Sequence, residues 1–117
     1  SLTQESIRSP HIQPVVAAMQ DHIGDPLSLD QLALIAGISA RQLNRIFVQV
    51  LKVSAMTYYR RLRLDIAQRL VQGSAMSVAA IAEATGFSNA AHFSTAYATH
   101  FGRRPSADRK AASERVI

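Results

Sequence analysis

At 117 residues the chain can bury a core without staples, as one domain or as two very small lobes. It has no cysteine, which removes disulfides, thiolate metal sites and a cysteine nucleophile. No apolar run approaches the eighteen or so residues of a membrane span, and the polar start, Ser1-Leu2-Thr3-Gln4, is not a signal peptide. These features read as a cytoplasmic protein with no membrane partner. A first residue other than Met reads as a fragment. The formal charge of +5 points to an anionic partner. Its placement says more: from Arg41 to Arg69 there are seven basic residues and one acid, whereas Leu70–Gly102 holds no Lys or Arg and one acid, Glu83. Segregation of this kind favours a binding face over a mixed solvated surface.

Residues 1–9 show no periodicity and read as an arm or linker. Ile12, Val15, Val16, Met19 and Ile23 then form one helical stripe, with Pro14 tolerated in the first turn and Gly24-Asp25-Pro26 ending it. Ser28 and Gln31 form a capping box for a helix that turns Leu29, Leu32, Ala33 and Ala36 inward. Gly37 breaks that helix. Ser39 caps the next, with Gln42 three residues on; it buries Leu43, Ile46 and Phe47 and carries Arg41, Gln42, Asn44 and Arg45 elsewhere. Ser54 caps a longer helix to about Val71, with an expected inner stripe of Met56, Tyr59, Leu62, Ile66, Ala67 and Leu70. At ~1.5 Å per residue its length is roughly 25 Å. Ser77 starts a short helix that breaks at Gly86. Ser88 and Asn89 cap another, with Phe93, Ala96, Tyr97 and Phe101 inside. Gly102 and Pro105 end it, Ser106 can cap a last short helix, and 111–117 reads as a frayed tail. No segment alternates like a strand, so the chain reads as all-α.

The pattern repeats. At an offset of 49, Ser28, Leu32, Ala33, Gly37, Ile38 and Ser39 match Ser77, Ile81, Ala82, Gly86, Phe87 and Ser88; after the cap the offset is 50, and Leu43, Phe47 and Leu51 match Phe93, Tyr97 and Phe101. A small residue where two helices cross, a glycine at the reversal, an apolar corner and a capped second helix are what a helix-turn-helix requires. The division expected is a first lobe at 10–53, a linker helix at 54–72 and a second lobe at 73–110.

These residues carry a resemblance to the DNA-binding domain of the AraC/XylS family of transcription regulators, over roughly residues 12–109. The carriers are Leu29-x-x-Leu-Ala, Ala36-Gly-Ile-Ser, Leu43-x-Arg-x-Phe47, Tyr59-Arg-Arg-Leu-Arg-Leu64, Ile81-Ala, Gly86-Phe-Ser, His92-Phe-Ser94 and Phe101-Gly-x-x-Pro105. The resemblance implies seven helices, with two helix-turn-helix lobes joined by a long helix, reading successive major-groove segments of double-stranded DNA. By position it puts base contacts at Arg41, Asn44 and Arg45 and, in the second lobe, at Ala90, Ala91, Ser94 and Thr95. Arg suits guanine O6/N7, Asn suits adenine N6/N7, and Ala suits a thymine methyl. Phosphate contacts fall to Ser39, Gln42, Arg60, Arg61, Arg63, Ser88, Asn89 and His92; for the three arginines a merely solvated helix face stays open. RNA polymerase and an N-terminal effector or dimerisation domain absent from this fragment are further implied partners, and the Tyr58–Leu64 run is similar to the subgroup whose partner domain is amidotransferase-like. The chain departs from the family with Lys52 for a glycine, Ala55 for a proline, Ala98-Thr99-His100 for basic residues and Asp108 for an aromatic.

Nothing in the sequence favours an enzyme. The four histidines lack metal-ligand spacing, there is no glycine-rich phosphate loop, and the serines precede helices, where capping explains them. No cofactor is expected. A helical protein-interaction module is the alternative; it has no need of Arg-Gln-x-Asn-Arg behind a capped turn.

Overall fold

A computed structural model describes residues 9–115, and seven helices run through them: α1 (Ile12–Asp21), α2 (Leu29–Ala36), α3 (Ala40–Leu51), α4 (Ala55–Gly73), α5 (Val78–Ala84), α6 (Ala90–Phe101) and α7 (Pro105–Arg115). No strand occurs among the described residues. The helices fall into two compact units, one up to Arg60 and one from Arg61. The arm expected at 1–9 lies outside the described residues except for Ser9.

The first unit buries Ile12, Val15, Val16 and Met19 of α1, Leu32 and Ala33 of α2, Leu43, Phe47 and Leu51 of α3, and Ala55 and Tyr59 of α4. The α2 capping box is complete: Ser28 Oγ accepts from Gln31 N–H at 3.1 Å, and Gln31 Oε1 accepts from Ser28 N–H at 2.8 Å. The α2–α3 corner turns at Gly37, φ 71°, with Ile38 N–H reaching back to Ala33 O at 3.2 Å. Space is not the demand there, since a Cβ on Gly37 would meet nothing within 4 Å; only the left-handed backbone requires glycine. Tyr59 ties the loop after α1: its hydroxyl donates to His22 O and accepts from Leu27 N–H.

The second unit repeats the corner. Gly86 has φ 81°, and Phe87 N–H reaches Ala82 O at 2.9 Å, the same 6→1 bond 49 residues on. Its core is Leu64, Ala67, Val71, Ile81, Ala82, Phe87, Phe93 and Tyr97.

Four sequence expectations are corrected. The cap of α6 is Asn89, whose Oδ1 accepts from His92 N–H at 2.7 Å; Ser88 is an extra residue in the second corner, which is why the offset changes from 49 to 50. The inner side of α4 is not one stripe: Ala55 and Tyr59 are buried in the first unit and Leu64, Ala67 and Val71 in the second, while Met56 is exposed and Leu62, Ile66 and Leu70 are half-buried. The buried residues of the helix belong to two separate cores, so no single stripe marks them. Ser106 does not open α7; Pro105 does, at the first-turn position where its missing N–H costs nothing. The tail is helical as far as Arg115, with Ala112 buried.

Candidate nucleic-acid interface

In the first unit the outer side of α3 is built from the Ser39 cap onward. Ser39 Oγ accepts from Gln42 N–H at 3.1 Å, which starts the helix and sends Leu43 and Phe47 inward. Arg41, Gln42, Arg45, Val48 and Gln49 are consequently exposed. Arg41 and Arg45 are one turn apart on one face, so their guanidinium groups can address neighbouring base pairs or phosphates together. Gln49, one turn past Arg45 on that face, is a residue that sequence reasoning misses; its signal is the i, i+4 spacing from Arg45.

Asn44 does not join them. It is half-buried, and its Oδ1 accepts from Ala55 N–H at 3.0 Å. A bidentate pair with adenine uses that same oxygen, which here is engaged within the fold. The side chain instead helps Ser54, whose Oγ accepts from Thr57 N–H at 3.3 Å, to satisfy the first turn of α4.

The end of α3 carries strain at Lys52. Lys52 has φ 66°, the one non-glycine residue in the left-handed region among those described, and its Nζ donates to Gln49 O at 3.0 Å. Fifty residues on, Gly102 takes the same place with φ 83°.

The outer side of α6 is formed by the counterpart positions. Ala91, His92, Thr95 and Thr99 are exposed, Ala90 and Ser94 half-buried. Thr99 Oγ1 donates back to Thr95 O at 2.9 Å. This face has no long cationic side chain. Ser88 and Asn89 are exposed beside it, with Asn89 Oδ1 committed to the cap.

On α4, Arg60 and Arg61 are exposed but Arg63 is not. Its Nη1 donates to Thr85 O at 3.2 Å and to Gly86 O at 3.0 Å, and the guanidinium lies 4.6 Å from the centre of the Phe87 ring. The Nη1 group of Arg63 is therefore engaged inside the second unit rather than offered to solvent. Arg109 is likewise internal, donating from Nε to Val71 O at 2.9 Å.

Asp108 is the acceptor of a buried cluster that the sequence did not announce. It is 1% exposed and receives Tyr97 Oη–H at 2.5 Å, Gln72 Nε2 at 3.2 Å, Gln68 Nε2 at 3.4 Å and the Arg103 guanidinium at 3.1 Å. Burial alone would raise its pKa; the bonds from Tyr97, Gln72 and Gln68, with the Arg103 charge, outweigh it and hold the carboxyl below its ordinary value. The Tyr97 phenol is pushed far up, by burial first and by the bond and charge of Asp108 next. Among the described residues no group of three or more His, Asp or Glu could hold a metal ion, and no helix is long and apolar enough to cross a membrane.

A family described as helix-turn-helix domain matches residues 32–111. The chain is 38% identical over 101 residues to the HTH-type transcriptional regulator GbdR of Pseudomonas aeruginosa, covering 86% of this chain and 28% of that protein. It is 39% identical over 101 residues to the regulator GlxA of Rhizobium meliloti, covering 86% and 31%. It therefore spans about three tenths of the length of these curated relatives. Among solved structures it is similar to a transcriptional regulator with an AraC-type DNA-binding domain from Chromobacterium violaceum, with 39% identity, TM-score 0.83 and coverage of 88% and 92%. It is also similar to the DNA-binding domain of AdpA in complex with a target DNA, with 27% identity, TM-score 0.86 and coverage of 92% and 96%.

Proposed function

The chain belongs to the AraC-type helix-turn-helix family, and from that premise we propose that it is the sequence-specific double-stranded-DNA-binding domain of a transcription regulator. In this reading α3 and α6 each enter a major-groove segment. The observation that carries it is the exposed Arg41–Arg45 pair on α3, behind a glycine corner whose 6→1 bond recurs 49 residues later. Arg41 and Arg45 read base edges; Ala91 and Thr95 meet thymine methyls or sugars, with Ala90 and Ser94 behind them. Gln42, Arg60, Arg61, Ser39, Ser88, Asn89 and His92 address phosphates. The domain works by binding, without a reaction of its own, in the cytoplasm. RNA polymerase and an N-terminal effector or dimerisation domain are further partners of the same proposal, and the Tyr58–Leu64 run supports an amidotransferase-like identity for that domain.

Selection of bound duplexes from random DNA, followed by titration of the enriched site across salt, tests it. An enriched motif is expected, with affinity falling steeply as salt rises because phosphates are neutralised and counterions released. No enrichment, or affinity flat between low and physiological salt, would sink the reading.

A further inference from the structure

We infer that Arg63 is a positioning residue for the second recognition helix, setting how α6 is presented to DNA without touching DNA itself. The inference rests on the DNA-binding reading above and concerns only the second unit.

Arg63 sits on α4, and its guanidinium reaches the corner that launches α6. Nη1 bonds the carbonyl of Thr85, the residue that ends α5, and that of Gly86, the left-handed residue of the turn, at 3.2 and 3.0 Å. A cation on the last carbonyls of a helix also meets the negative end of its dipole. The guanidinium covers one side of the Phe87 ring, 4.6 Å from its centre. Phe87 passes the constraint on. Its ring lies 5.2 Å from Phe93 and meets His92 edge-on at 5.9 Å, both in the opening turns of α6. One side chain therefore fixes the carbonyl end of α5, the turn and the apolar plug on which α6 begins.

The second lobe has a particular need for such a brace. The face of α6 offers Ala91, Thr95 and Thr99 where that of α3 offers Arg41, Arg45 and Gln49. A long side chain adjusts its reach over several ångströms. An alanine or threonine methyl does not, so the helix itself must be held at the right depth, and supporting contacts decide whether the contact forms. The corner of the first lobe is filled by Ile38, whose counterpart here is Phe87.

The experiment measures binding of the whole chain by fluorescence anisotropy to the selected site and to versions with one or the other half-site scrambled. In the parent chain each scrambling should cost at least about tenfold, as mismatched pairs do. Arg63→Ala is expected to keep the discrimination at the Arg41–Arg45 half-site and to lose that at the α6 half-site, down to about twofold or less, with an unchanged salt slope. Arg63→Lys, which restores a charge and donors, should recover part of it. If Arg63→Ala proves unfolded by circular dichroism, Phe87→Leu, which removes the ring but keeps the corner apolar, carries the same half-site-confined expectation. Uniform weakening with a salt slope lower by about one would make Arg63 a phosphate contact and overturn the inference. So would undiminished discrimination at the α6 half-site in a folded variant. A parent chain that discriminates at neither half-site would overturn the DNA-binding reading itself.

Discussion

Lys52 holds a left-handed backbone, φ 66°, at the place where the repeat puts Gly102. A side chain in that region costs roughly 1–2 kcal/mol, and glycine returns part of any gain through the freer unfolded chain. Lys52→Gly should therefore stabilise the protein by about 0.5–1 kcal/mol, visible as a rise of a few degrees in Tm. A lower Tm would mean that the Nζ bond to Gln49 O outweighs the backbone strain. Asn44 makes the converse case. With Oδ1 on Ala55 N–H it behaves as a remote cap, so Asn44→Ala should cost about 1 kcal/mol in urea unfolding and leave the preferred bases unchanged. An altered preference at one base pair with stability intact would return Asn44 to the reading face. At this scale the sequence separates exposed from buried but not engaged from available. Arg41, Arg45 and Arg63 look alike in a basic block, and only the fold reveals that Arg63 is engaged by two carbonyls and a ring.

Elements whose signals are local are legible in the sequence. Caps act over three residues and the corner bond over five, so Ser28–Gln31, Ser39, Gly37 and Gly86 mark their turns from the chain alone. The α4 helix is legible in extent but not in its buried residues, because these belong to two different cores. The α7 helix is hard to read for a related reason: Asp108 near its start looks like a surface acid until Tyr97, Gln68 and Gln72 are brought around it. That cluster predicts a docking of α7 that weakens in acid. A carboxyl whose folded pKa lies below its unfolded value near 3.9 stabilises fully above that value, and the contribution is lost as pH falls through the folded pKa. Unfolding measured from pH 7 downward should show an acid loss that Asp108→Asn flattens. At pH 7 the variant should already be weaker by about 2 kcal/mol, since the amide cannot accept every bond the carboxylate does. Equal pH slopes for both proteins below pH 4 would remove Asp108 as the cause.

Across the whole chain, charge and repeat point in different directions. The repeat supplies two helix-turn-helix units of similar geometry, while the exposed cations of the recognition helices all lie on α3. Similar geometry with unequal chemistry predicts unequal contributions to binding. Arg45→Ala should cost roughly 1–3 kcal/mol on the preferred site and relax selection at one base pair. Thr95→Ala, at the counterpart position, removes a hydroxyl and a methyl and should cost less than about 1 kcal/mol. The salt dependence should divide the same way: substitutions of Arg60 or Arg61 lower the slope by about one each and weaken all sequences alike, whereas changes on α6 leave it unaltered. Titrations of these variants against one selected site at several salt concentrations decide the point. If Thr95→Ala proves the costlier change, the neutral lobe dominates through DNA shape or backbone contacts, and the charge block reports affinity without specificity.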